Sequence, residues 1–306
     1  MSDSLHALGD AAATAPSTVR AWWLAARPHT LGASLVPVLV GICVAARLGE
    51  LRPLTAAACL LTALLLQIAT NLANDALDFV SGVDTAERLG PRRAAQSGWL
   101  SWKQVFGGAL LAVAVAMALG VHLVWVGGAP ILWIGLASVV AALGYSGGPF
   151  PLASHGLGEA AAFVFFGVIA VSGSAYLHLD RFDPGAIAAS IPIALLVSAI
   201  MAVNNLRDIE SDARSGKRTL AVRIGAPAAR HFYTTLILGS LLWTFPLAAW
   251  LGSPWLLLPL ASAPLACALV KELRTARGGP EFNAALAHTA RLHAVYGLLL
   301  CVGILC

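Results

Sequence analysis

Nine apolar stretches, each long enough to cross a lipid bilayer, occupy most of this chain. They lie near residues 30–47, 53–74, 104–122, 125–146, 158–179, 185–206, 231–251, 254–272 and 287–306. A spanning helix needs about 20 apolar residues, because the hydrocarbon core is about 30 Å thick and each helical residue rises about 1.5 Å. No water reaches the backbone there, so each segment must satisfy its own N–H and C=O groups, as a helix does. The expected fold class is all-α: a polytopic membrane protein built as a nine-transmembrane-helix bundle. Only His122 and a short glycine-containing patch part the third stretch from the fourth, which leaves eight spans as the alternative.

Charge supports this reading in two ways. Charged residues make up only 11% of the chain, against about 25% in a soluble domain, too few to cover a water-facing surface. They are also placed asymmetrically. Threading nine spans leaves only Arg47, Arg52 and Arg181 on one side of the bilayer; all the rest of the 19 Lys and Arg residues share the other. By the positive-inside rule that other side, which also holds the N-terminus, is cytoplasmic. The formal charge of +4 is therefore a topology signal and gives no case for nucleic acid as a partner. Residues 1–18, rich in Ala, Ser and Asp, read as a disordered tail, and residues 19–306 as one integral-membrane domain. Trp22 and Trp23, flanked by Arg20 and Arg27, suit a short interfacial helix. The five cysteines all fall in apolar stretches without metal-ligand spacing and read as packing.

Polar residues inside apolar helices are costly, so they point to function. The second span ends with Asn71, Asn74, Asp75 and Asp78, spaced i, i+3, i+4 and i+7 on one helix face. Asp84 and a basic loop with Arg88, Arg92 and Arg93 follow. The sixth span ends with Asn204, Asp208 and Asp212, again on one face, followed by Arg214, Gly216, Lys217 and Arg218. Asn71 pairs with Asn204, and Asp75 with Asp208, at one constant offset, as in a duplicated half. Four spans separate the two segments, so both reach the same membrane face.

Carboxylates and amide oxygens without sulfur or paired His suit a hard cation, and Mg²⁺ shared with substrate phosphates fits best. The cationic rim suits phosphate oxygens. Together they suit a diphosphate leaving group, whose developing charge must be neutralised in the transition state. Tyr145 ends the fourth span at the same face, where it reads equally well as an interfacial anchor or as a site residue beside Ser146.

These residues resemble the two aspartate-rich motifs of the UbiA superfamily of intramembrane aromatic prenyltransferases. The resemblance extends over Arg27–Leu31, Gln67–Arg92, Tyr145–Pro149, Gly156–Glu159, Asn204–Gly225 and the Asn283…Arg291 pattern. Within the superfamily it is nearest the branch that prenylates 1,4-dihydroxy-2-naphthoate in menaquinone synthesis. His29, Ala76-Leu77 and Ser154 depart from that branch's pattern, leaving substrate fit and chain length open.

The resemblance implies an enzyme of the bacterial cytoplasmic (inner) membrane, with its site on the cytoplasmic side. Its donor would be a polyprenyl diphosphate, its cofactor Mg²⁺, and its acceptor 1,4-dihydroxy-2-naphthoate, with the tail leaving into membrane lipid. It further implies Asp75, Asp78, Asp208 and Asp212 as metal ligands, with Asn71 and Asn204 completing the shell. Asp84 would sit on a covering loop, and Arg27, Arg88, Arg92, Lys217, Arg218 and Ser146 would hold diphosphate. Tyr145 would face the allylic cation or the diphosphate. Three rivals stand beside this reading: another aromatic acceptor such as 4-hydroxybenzoate, a phytyl donor, and a cation-coupled transporter, although a transporter places its acidic breaks nearer the midplane.

Overall fold

The computed structural model describes residues 16–82, 90 and 92–306. Among these residues the chain is helical, without strands. Ser17 accepts from the backbone N–H of Arg20 and caps the short helix α1, Thr18–Ala26. The helix thus starts at the very end of the segment expected as tail. A turn at Pro28–Thr30 bends the chain by 51° into α2, Gly32–Arg47. The long apolar helices follow: α3 Pro53–Val80, α4 Trp102–Gly144, α5 Gly158–Leu179 and α6 Pro184–Arg207. After the short α7, Ile209–Arg214, come α8 Leu220–Leu251, α9 Pro254–Thr275 and α10 Gly279–Leu305.

At 43 residues, α4 would be about 65 Å long if straight, twice the bilayer core. It does not run straight. Gly128 (φ 68°, ψ −154°) breaks it, and Pro130 follows. Near the break, Leu123 and Ile131 both pack with Cys59 of α3. At the far ends, Gly108 lies beside Leu72, and Gly147, just past α4, lies beside Leu77. The two limbs therefore form a hairpin along α3. Counting them separately, the described residues contain nine membrane-length segments, in agreement with the expectation. His122, the residue that parted the third and fourth stretches, sits near the turn with Nε2 3.4 Å from Thr55 Oγ1.

Side-chain contacts fix which loops share an end of the bundle. Arg47 donates to the carbonyl of Ile304 (2.7 Å), and Arg52 pairs with Asp180 (2.5 Å). The ends of α2, α5 and α10 and the start of α3 thus lie together, with the three isolated arginines placed there as the charge count requires. The acidic ends of α3 and α6 lie at the opposite face.

Helices approach closely where one partner lacks a side chain. A Cβ on Gly167 of α5 would fall 2.1 Å from Ala194 Cβ of α6, and one on Gly41 of α2 would fall 2.1 Å from Ser174 Oγ. Such small-residue crossings replace the hydrophobic drive that lipid does not supply. Large apolar side chains face outward instead, as Trp125 (89% exposed) and Trp133 (68%) do on α4. Residues Ala162–Ile169 of α5 wind as a π-helix, a form that recurs at functional sites.

Candidate active site at the mouth of the bundle

The acidic ends of α3 and α6 form this site. Asn71 is buried, and its amide donates to the Ala26 carbonyl and to Thr30 Oγ1, each at 2.9 Å. It also accepts from Gln67 (3.4 Å). These bonds fasten the Pro28–Thr30 turn, which the chain enters through Arg27 in a left-handed conformation (φ 52°, ψ 66°). For a non-glycine residue that conformation costs about 1–2 kcal/mol, and such strain gathers at functional sites. His29 follows at the mouth. Partial burial, then Arg27 and Arg207, hold its imidazole below the ordinary range and so neutral near pH 7.

Asn74 accepts from Ser146 Oγ (2.8 Å), tying α3 to the end of α4. Asp75 is wholly buried and accepts from the backbone N–H groups of Ala94 (2.9 Å) and Ala95 (3.1 Å). It anchors the chain where the first basic loop returns. Asp78 receives both loops: Arg93 Nη1 lies 2.7 Å from one carboxylate oxygen, and Lys217 Nζ lies 3.4 Å from the other. Arg93 also donates to the Asn74 carbonyl (2.7 Å). Among the described residues of the basic loop, Arg93 is buried and Arg92 is exposed. The expected site residues Asp84 and Arg88 lie outside the described residues.

In the second segment Arg207 organises the carboxylate. It is 3% exposed. Its guanidinium grips Asp208 through Nε (2.8 Å) and Nη2 (2.6 Å), and donates to Asn204 and Asn283, each at 3.0 Å. Asp212 is buried, and its carbonyl accepts from the Lys217 N–H (2.9 Å). Gly216, at φ 79°, allows the turn that sends the Lys217 side chain back to Asp78. Arg218 is exposed, with its N–H bonded to the Ser154 carbonyl (3.0 Å). Tyr145 donates to Met201 Sδ (3.1 Å). Thr289 bonds Tyr233 (2.9 Å) between helices, and His155 stacks on Phe150 in the loop.

Arg207 and Asn205 are the polar residues to which the sequence reading gave no role, while Asn283 and Glu159 entered it only through the resemblance. Arg207 directly precedes Asp208, and adjacent residues do not share a helix face. Arginine is long enough to fold back across that gap. The signal was a lone arginine within the last turn of a buried apolar helix.

An apolar chamber of about 520 Å³ opens beside this mouth. Gln67 and Thr70 of α3, Val139 of α4, Phe165 and Phe166 of α5, and Met201 of α6 line it, with Tyr145 among the lining residues. As donors for a metal, the aspartates and asparagines offer oxygen alone, which fits Mg²⁺. Among the described residues no three Asp, Glu, His or Cys side chains already converge as a metal cluster. Arginine, lysine and backbone N–H groups balance the aspartates instead.

The described residues thus form an apolar helix bundle with duplicated acidic ends, basic residues meeting them, and an apolar chamber at their mouth. The model of the UbiA prenyltransferase family matches residues 34–293, and the chain belongs to that family. It is 38% identical to the 1,4-dihydroxy-2-naphthoate octaprenyltransferase of Escherichia coli over 84% of this chain and 85% of that protein. The Bacillus subtilis protein of the same name is 34% identical over 92% of this chain and 91% of its own. Among solved structures, a UbiA homologue from Aeropyrum pernix superposes with a TM-score of 0.70 at 15% identity, covering 90% of this chain and 98% of its own. One from Archaeoglobus fulgidus, bound to DMAPP and Mg²⁺, gives 0.65 at 13% identity over 92% and 99%.

Proposed function

We propose that this prenyltransferase moves a polyprenyl group from polyprenyl diphosphate to 1,4-dihydroxy-2-naphthoate, with Mg²⁺ and with loss of the carboxylate, giving demethylmenaquinol. The observation that carries the donor half is the meeting of both basic loops on Asp78, beside an apolar chamber. The names of the curated relatives support the acceptor.

In this reading Asp75, Asp78, Asp208 and Asp212 would hold Mg²⁺ directly or through water, Asp75 by exchanging its backbone donors, and Asn71 and Asn204 would orient or complete the shell. Bound Mg²⁺ supplies positive charge against the charge that develops on the departing diphosphate. Lys217 and Arg207, now on carboxylates, turn their donors to phosphate oxygens as the donor arrives. Arg27, Arg88, Arg92, Arg218 and Ser146 complete the diphosphate cradle, and Asp84 belongs to the loop that covers it. The prenyl chain lies in the chamber, whose apolar walls keep water from the allylic cation. The Tyr145 ring and the polarizable Met201 sulfur stabilise that cation at the chamber's mouth. The chain sits in a bacterial inner membrane with N-terminus and site cytoplasmic, as the charge asymmetry supports.

The test is a product assay. Purified protein in lipid receives Mg²⁺, a polyprenyl diphosphate and 1,4-dihydroxy-2-naphthoate, and product is detected by mass. Product should vanish with EDTA and with Asp208→Ala. Folded protein that yields no such product with any donor length refutes the reading. Product with 4-hydroxybenzoate alone moves it to another acceptor, and ion flux without product moves it to a transporter.

A further inference from the structure

Among the described residues, Glu159 at the mouth keeps one carboxylate oxygen without any hydrogen-bond partner. Glu159, in the first turn of α5, is 4% exposed. One carboxylate oxygen accepts from Asn205 Nδ2 (2.9 Å), and its backbone carbonyl accepts from Ser198 Oγ (3.0 Å). The other carboxylate oxygen is buried with no hydrogen-bond partner. This differs from the aspartates. Asp75 has two backbone donors, Asp78 has Arg93 and Lys217, and Asp208 has Arg207.

A buried carboxylate oxygen without a donor costs about 1–3 kcal/mol or more. Such a group calls for an explanation in function. A helix-to-helix brace does not require it, since glutamine would hold Asn205 as well without a charge. The neighbours point to the role. A Cβ built on Gly158, the residue next to Glu159, would lie 3.1 Å from the Tyr145 hydroxyl and 3.6 Å from Asn205 Nδ2. Gly158, Ala161, Tyr145 and Met201 line the chamber. Glu159 itself does not line the chamber; it packs behind the lining residue Gly158 and against Asn205, next to the wall that carries Tyr145 and Met201. The bare face of Gly158 lets the Tyr145 hydroxyl, Met201 and Asn205 approach the start of α5 closely.

We infer that Glu159 is the proton acceptor for a ring hydroxyl of the aromatic acceptor, with Asn205 holding its carboxylate in place. The inference deepens the proposed function and rests on it for the donor. The step balances as follows. The prenyl C1–oxygen bond breaks and its electron pair leaves with diphosphate. A ring π pair forms the new bond to C1. The O–H bond breaks, its proton passes to the free oxygen of Glu159, and the oxygen's electrons form a C=O on the ring. Proton removal raises the electron density of the attacking carbon at the moment the cation appears. A positioned carboxylate of this kind is worth about 10²–10⁴-fold.

The experiment compares wild type with Glu159→Gln and Glu159→Asp on three readouts. These are thermal midpoint in detergent, diphosphate released from donor without acceptor, and prenylated product with acceptor. Glutamine keeps the shape and the Asn205 contact. It should leave the midpoint and the acceptor-free release within about twofold of wild type, and lower product formation by about 100-fold or more. Aspartate should restore part of the rate. A product rate for Glu159→Gln within about threefold of wild type overturns the inference. So does a parallel loss of acceptor-free release, which would mark a structural brace. If wild type prenylates another phenol but not the naphthoate, the proposed acceptor falls, and the same comparison on that phenol still decides the role of Glu159.

Discussion

Replacing Arg207 by methionine should be more harmful than removing Arg207 and its carboxylate together. Arg207 makes two bonds to Asp208 and one each to Asn204 and Asn283, all in a setting where it is 3% exposed. Methionine keeps the apolar bulk and removes every donor. Asp208, 8% exposed, then keeps a buried charge without its counter-charge. Breaking a buried pair in this way costs about 3–5 kcal/mol. The two hydrogen bonds from the charged guanidinium to the asparagine oxygens add about 1.5 kcal/mol or more each, less whatever water recovers. For a chain of this size the drop in midpoint is about 2–4 °C per kcal/mol, so Arg207→Met should lose about 10 °C or more. In Arg207→Met/Asp208→Leu no buried charge is left, and about half of the lost stability should return, because replacing a whole buried pair is close to neutral. The assay is thermal unfolding of purified protein in detergent, followed by tryptophan fluorescence. A single variant within about 1 kcal/mol of wild type would show that Arg207 is dispensable. A double variant as unstable as the sum of the two singles would show that uncompensated charge is not the cause.

Three further outcomes follow from other parts of the molecule. Asn71→Ala should release the turn that carries Arg27, raising the donor KM by about tenfold, with a smaller change in kcat; initial rates against donor concentration check this, and an unchanged KM counts against the fastening role. Gly135 lines the chamber with nothing within 4 Å of where a Cβ would stand; Gly135→Trp should therefore fill chamber space, keep turnover of short donors and depress that of long ones, which a chain-length series of donors reads directly. At the opposite face, Arg52 holds the Asp180 carboxyl below its ordinary value. That contribution is present above about pH 4 and fades as pH falls through the lowered value, so the midpoints of Asp180→Asn and wild type should differ near neutrality and converge in strong acid.

The count of nine segments was legible because length and hydropathy must match the bilayer. Even the doubtful boundary near His122 proved to be a turn, forced by Gly128. The shared face of the two acidic ends was legible from the parity of the spans and from the placing of the arginines. What each polar residue touches was not. Spacing placed Asn71 in a ligand set with Asp75 and Asp78, since all three share a helix face. In the fold, Asn71 turns to Ala26 and Thr30, Asp75 to backbone N–H groups, and only Asp78 to the facing loop. Periodicity reports direction around one helix. It does not report what the neighbouring helix offers. The offset pairs Asn71 with Asn204 and Asp75 with Asp208, but not every position between them: position 207 holds an arginine that organises its segment, and position 74 an asparagine bonded to Ser146. Glu159 escaped for lack of any spacing signal, because its partners come from α6.

Asp78 binds one cation from its own half and one from a loop 139 residues away. A ribosome makes those halves in order. A nascent chain that has delivered its first five segments to the membrane already has Asp78, Arg93 and most of the chamber wall, though not Met201 of α6. It still lacks Lys217 and the whole second cradle. If the proposed donor chemistry holds, ionisation of the diphosphate waits on the second half, so that no allylic cation forms before the chain that must direct it is complete.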